Sequence, residues 1–134
     1  MTVPDPSALA RGHSLEREIM SALGSLPGVC VHRNPKGKAR LPSGATVTLG
    51  IAGDGAPDIM AEVLWPTPED PFVPGVWVTV WMECKSGEFA RLKKDQREWF
   101  AAARRLSRHA YVVRSVEHAR AIVESFKRGE VHVD

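Results

Sequence analysis

The stretch VWVTVWMECKSG, Val76 to Gly87, decides how this chain folds and where its reactive groups gather. Val76, Val78, Val80, Met82 and Cys84 alternate with Trp77, Thr79, Trp81, Glu83 and Lys85. Successive side chains of a strand point to opposite faces. The first set therefore makes a wholly apolar face, which is core. The second places Glu83 and Lys85 side by side at the C-terminal end of the strand, just before a glycine-containing turn. Burying either charge without a partner costs several kcal/mol. The pair must meet partners or line a cleft at the end of the sheet.

Working back from that strand, WPTPEDPFVPG carries four prolines and reads as a surface connection. Before it, Asp58-Ile59-Met60-Ala61-Glu62-Val63-Leu64 reads as a second strand, entered from the glycine-rich GIAGDGAP. In an antiparallel pair the start of one strand lies beside the end of the next, so Asp58 is expected beside Glu83. A plain Glu83–Lys85 ion pair is the simpler reading, but it leaves Asp58 unexplained. Two adjoining carboxylates repel unless a cation sits between them. Oxygen ligands from Asp and Glu suit Mg²⁺ or Mn²⁺. Lys85, on the same face, would polarise water or neutralise charge developing on a phosphate. The layout suits hydrolysis of a phosphodiester.

Further out, Leu15, Ile19, Ala22, Leu23 and Leu26 recur at helical spacing, predicting a helix near 14–25 closed by Pro27-Gly28. Val29-Cys30-Val31 opens a strand running into Arg33-Asn34, NPKGKARLPSG is a basic loop or hairpin, and Ala45 to Leu49 is a short strand. Beyond the SG turn, Leu92, Trp99, Phe100, Ala103 and Leu106 mark a helix over about 91–107. Gln96 falls on its inward stripe, where it needs partners, either a site at the strand end or nearby backbone. Ala110 to Val113 is a strand, and Ser115 is the expected N-cap of a last helix carrying Ala119, Ile122, Val123 and Phe126. Glu16 borders the inward face of the first helix, although taken alone it reads as a surface acid. Trp77 and Trp81 share a strand face and read as core under a helix, with base stacking the competing reading. The whole is an α/β chain of order α-β-β-β-β-α-β-α, a mixed sheet flanked by helices.

At 134 residues, 43% hydrophobic and 25% charged, the chain suits one domain with a single core. We expect a flexible lead-in over 1–13, the domain over 14–128 and a short tail over 129–134. No apolar run approaches the roughly 18–20 residues that cross a bilayer, and the first residues lack the layout of a signal peptide. The two cysteines, Cys30 and Cys84, make no disulfide framework and read as small buried residues, so a cytoplasmic setting is expected. No Cys/His spacing resembles a zinc site, and the five histidines are scattered. Residues 41–84 hold no Lys or Arg, only Asp54, Asp58, Glu62, Glu69, Asp70 and Glu83, while basic residues lie on both sides. An acidic centre between basic arms suits a cation site facing a polyanion. Solvated helix faces are the alternative. Arg33, Lys36, Lys38, Lys93, Lys94 and Arg97 are the candidate phosphate contacts.

Pro57-Asp58, followed after about two dozen residues by Glu83-Cys84-Lys85, resembles the PD-(D/E)xK nuclease superfamily. With Glu16-x-x-Ile19, Arg33-Asn34 and Gly37, Gly55-Ala-Pro-Asp58, Leu92 with Gln96, and Tyr111-Val-Val-Arg-Ser115, the likeness is to the virus-type replication-repair nuclease (VRR-NUC) domain, over about residues 14–125. The resemblance implies a restriction-endonuclease-like fold and a Mg²⁺- or Mn²⁺-dependent endonuclease directed to branched DNA such as Holliday junctions. It further implies a stand-alone, homodimeric protein of the bacteriophage and bacterial kind. By that likeness Asp58, Glu83 and the backbone carbonyl of Cys84 hold metal, Lys85 assists the water, and Glu16 and Gln96 complete the site, Glu16 directly or through water. Lys93 departs from the family, standing where a small capping residue is expected. A restriction-type endonuclease reading a short sequence, and a catalytically silent DNA-binding module, are the alternative functions.

Overall fold

The computed structural model of the chain describes residues 6–35, 37–50, 52–66, 69–70, 72 and 74–134, with backbone alone at 6–13, 37–38 and 48–49. The elements are α1 (Pro6–Gly24), β1 (Val29–Arg33), β2 (Gly37–Arg40), β3 (Thr46–Leu49), β4 (Ile59–Trp65), β5 (Val76–Cys84), α2 (Lys94–Arg105), β6 (His109–Val113) and α3 (Val116–Lys127). Four strands form a mixed sheet in the order β1-β4-β5-β6. β4 is antiparallel to both β1 and β5, whereas β6 runs parallel to β5. A parallel neighbour needs a long crossover, and α2 supplies it. The chain is therefore mixed α/β.

Two expectations about the elements themselves need correction. The basic segment is a hairpin, so five strands precede α2, not four: β2 and β3 pair as a separate two-stranded sheet. The turn is closed by Leu41 N–H donating to the Ala45 carbonyl at 2.8 Å, with Gly44 at φ +89°. The first helix starts at Pro6 instead of near residue 14. Proline fits the first helical position, where its missing N–H would have no intrahelical partner.

The alternation in β5 sets the two faces as expected from Val78 onward, but Val76, expected in the core, is 66% exposed at the start of the strand. Val78, Val80, Met82 and Cys84 point into a core with Ile59, Ala61 and Val63 of β4 and Tyr111 and Val113 of β6. From α1, Ile19 and Leu23 close this face; from α3 the i, i+3, i+4, i+7 set Ala119, Ile122, Val123 and Phe126 does so. Ser115 caps α3, its Oγ accepting from His118 N–H at 3.1 Å. On the opposite face α2 covers the end of β5, where Trp81 meets Trp99 edge to face at 5.4 Å. Trp81 is buried as expected, but Trp77 is 47% exposed. α2 does not reach that far along β5. The same open face carries Cys30, which is exposed, correcting its expected burial. Its neighbours Val29 and Val31 point the other way, into the core that α1 and α3 cover. Leu106, expected on the inward stripe of α2, is exposed because the helix ends at Arg105.

Candidate functional site

The β4–β5 register pairs Ile59 with Met82, so one step further along the antiparallel pair Asp58 stands opposite Glu83. Side chains directly opposite in such a pair have Cβ atoms about 4.5–5.5 Å apart. The ladder cannot continue, because Pro57, facing Cys84, has no N–H to give. Instead the Asp58 carboxylate turns onto the neighbouring backbone, its Oδ2 accepting from Cys84 N–H at 3.0 Å. Asn34, at the end of β1 and buried, pins this corner from behind. Its N–H donates to the Asp58 carbonyl at 2.8 Å and its Nδ2 to the Pro57 carbonyl at 3.0 Å.

Glu83 is only 2% exposed. Gln96 Nε2 donates to its Oε1 at 2.9 Å, and Lys85 Nζ lies 4.0 Å from the same oxygen. A charge that deeply buried persists only with such partners. The other end of the Gln96 amide accepts from Lys93 N–H at 2.8 Å. Lys93 is the N-cap of α2, and its own side chain makes no capping bond. Gln96, at the third helical position, caps the helix by reaching back to that N–H, half of a capping box. The cap that the Lys93 side chain does not provide is thereby supplied. One side chain both starts α2 and ties it to the buried acid.

Two further contacts bind α2 to the glycine-rich approach to Asp58. Trp99 Nε1 donates to the Ala52 carbonyl at 3.0 Å. Gly55, at φ +79°, lies so close that a Cβ would collide with the Asp95 carbonyl and stand 2.9 Å from Gln96 N. Only glycine allows that approach in that conformation. On the other side Arg114 steadies the loop after β5, its Nη1 and Nη2 donating to the Gly87 and Ala90 carbonyls at 2.7 Å each. Lys85 N–H donates to the Val113 carbonyl at 3.0 Å, so the parallel neighbour fixes the Lys85 backbone.

The structure thus brings Asp58, Glu83, Lys85 and Gln96 to one end of β5. Glu16, on α1, is 8% exposed and bonded by Arg33 Nε at 2.9 Å. A cleft of about 190 Å³ opens beside that pair, lined by Glu16, Arg17, Met20 and Arg33. Of the expected phosphate contacts, Arg33 is therefore partly engaged by Glu16. Lys36 and the side chain of Lys38 lie outside the described residues. Lys93, Lys94 and Arg97 stand exposed on the first turns of α2, next to Gln96. Lys94 Nζ is 3.9 Å from Glu98 Oε1, and Arg97 Nη1 donates to the Leu92 carbonyl at 2.8 Å.

Sequence reasoning passed over the parts played by Asn34, Gly55 and Arg114. Asn34 had a legible signal, a short amide just past a strand, a residue type that bonds backbone at turns. Gly55 and Arg114 had none, because their partners lie far along the chain. The donor set at the strand end is oxygen from carboxylates with an amine alongside, chemistry that accepts a hard divalent cation. No family model, no curated protein and no solved structure matches the chain.

Proposed function

We propose that this chain is a divalent-metal-dependent DNA endonuclease, hydrolysing phosphodiester bonds at branched DNA such as Holliday junctions. In this reading it is built on a restriction-endonuclease-like sheet of the VRR-NUC kind, acting as a homodimer in the bacterial cytoplasm. One observation carries the reading: antiparallel pairing sets Asp58 opposite Glu83, with Lys85 Nζ 4.0 Å from the Glu83 carboxylate. A purely structural Glu–Lys pair would need no second acid at the same strand end. No helix among the described residues is long and apolar enough to cross a membrane.

Asp58 and Glu83 would hold Mg²⁺ or Mn²⁺, with the Cys84 carbonyl and Glu16 as further ligands by family likeness. When bound, such an ion neutralises charge on the reacting phosphate and acidifies a water. The chain's own groups do the rest. Gln96 holds Glu83 in one orientation through its 2.9 Å bond. Lys85, its side chain only 14% exposed, would set its amine beside the reacting phosphate in a site of restricted hydration, where attraction to developing negative charge is stronger than in water. Lys93, Lys94 and Arg97 would position the DNA backbone without reading its sequence.

The test is cleavage of a labelled panel of four-way junctions, flaps, nicked and linear duplexes in Mg²⁺ or Mn²⁺. We expect cleavage of branched substrates, abolished by Glu83→Ala and by Lys85→Ala, with binding retained in Ca²⁺. Full activity of both variants, or no cleavage of any substrate by the unaltered protein, overturns the reading. Preference for one short linear sequence would replace branched DNA with sequence-reading cleavage.

A further inference from the structure

A second cluster lies outside that site, on the segment following α3. Glu130 N–H donates to the Ser125 carbonyl at 3.0 Å and Ser125 Oγ to the Glu130 carbonyl at 3.2 Å, turning the chain back past the end of α3. The Tyr111 hydroxyl on β6 then donates to the His132 carbonyl at 2.7 Å, and the two rings meet edge to face at 5.8 Å. This returning segment brings His132 and Asp134 to His118, in the first turn of α3. Asp134 Oδ1 lies 2.9 Å from His118 Nε2 and 2.8 Å from His132 Nε2. One ligand atom from each of the three residues lies within 4.8 Å of the others.

We propose that His118, His132 and Asp134 form a binding site for a borderline divalent transition metal, Zn²⁺ above all, that fastens the segment after α3 to the body of the domain. Two imidazoles and one carboxylate are a ligand set that Zn²⁺ takes readily, with a water in the fourth position, and that Mg²⁺ does not. With bonds of about 2.0–2.1 Å in a tetrahedron, ligand atoms stand about 3.3 Å apart. To admit the ion, the carboxylate oxygen has to withdraw by about half an ångström from each ring, and the two ring nitrogens, within 4.8 Å of each other, have to close toward the same spacing. Each imidazole then carries its remaining proton on Nδ1.

One feature favours a metal over a bare hydrogen-bonded clasp. Both histidines sit on anchored backbone: His118 in a helix capped by Ser115, and His132 through the Tyr111 hydroxyl. The proposal is independent of the nuclease reading, because it uses none of the same residues and a softer donor set.

Titration calorimetry of the metal-stripped full chain with ZnCl₂ tests it, alongside His118→Ala, His132→Ala and, as a control for the other site, Asp58→Asn. We expect one Zn²⁺ per chain, affinity lowered at least about tenfold by loss of either histidine, and little change in Asp58→Asn. Zn²⁺ should also raise the melting temperature of the unaltered chain by mass action, and leave that of His118→Ala unmoved. The two rings are 28% and 21% exposed, so these variants are expected to fold. Should either fail to, His118→Gln and His132→Gln repeat the measurement at nearly unchanged volume. Absence of saturable Zn²⁺ binding, or binding that both histidine substitutions leave intact, overturns the proposal.

Discussion

Replacing Gln96 by glutamate puts a second carboxylate where an amide now donates to the buried Glu83 oxygen at 2.9 Å. The new side chain has the same shape and still offers an oxygen to Lys93 N–H, so α2 keeps its cap. What changes is the contact with Glu83, from a donor–acceptor pair to two anions. With charge centres about 4 Å apart and an effective dielectric of about 20, their repulsion is about 4 kcal/mol. The folded protein can avoid it by keeping one proton on the pair, which restores a hydrogen bond between them. At pH 7 an ordinary glutamate sits about 2.7 units above its pKa of about 4.3, so that proton costs about 3.7 kcal/mol. The two figures agree, and they set the expected loss of stability at neutral pH.

The sign of the pH dependence follows. The variant's folded state binds a proton that its unfolded chain releases above about pH 4.3, so its deficit relative to wild type is absent below that pH. As pH rises, the deficit grows by about 1.4 kcal/mol per unit until it reaches the repulsion limit. Urea denaturation of both proteins between about pH 4.5 and 8 reads this directly as a difference of midpoints. A deficit below about 1 kcal/mol at pH 7, or one that stays level with pH, would refute the claim that Gln96 holds a buried, charged Glu83.

Gly55→Ala should destabilise the chain by about 2–4 kcal/mol in the same assay, combining left-handed backbone strain with a collision against α2. Because the collision falls on the first turn of that helix, amide exchange should quicken there before it does in α3. Phe126 is fully buried and meets Trp65, His109 and Tyr111 edge to face. Its replacement by Ala should cost about 3–5 kcal/mol, a large share of an ordinary domain's stability, and appear as a sharply lowered melting temperature. Burial pushes the His109 imidazole below its ordinary pKa, so the folded state binds fewer protons than the unfolded chain just below about pH 6.5. The stability linked to this group is present above that pH and is lost as pH falls toward the folded pKa. His109→Phe should therefore soften the fall in melting temperature between about pH 7.5 and 5.5; an unchanged profile would refute the assignment.

Periodicity along Val76 to Cys84 was enough to divide the sheet into a core face and a second face, because side-chain alternation in a strand is a local property. The same local logic located Ser115 as a cap and the apolar stripe of α3, and antiparallel neighbours brought Asp58 toward Glu83. Tertiary structure alone decided the rest. Cys30 is exposed and Trp77 half-exposed because α1 and α3 share one face while α2 spans only part of the other, and helix placement depends on distant packing. Gln96 could be read as an inward amide, yet that it caps its own helix while holding Glu83 needed the crossover that lays α2 over the end of β5. His118 and His132 look scattered along the chain, and the bond from Tyr111 that carries one to the other joins residues 21 apart. Local patterns record which way a side chain points; which groups meet is settled by how the chain returns on itself.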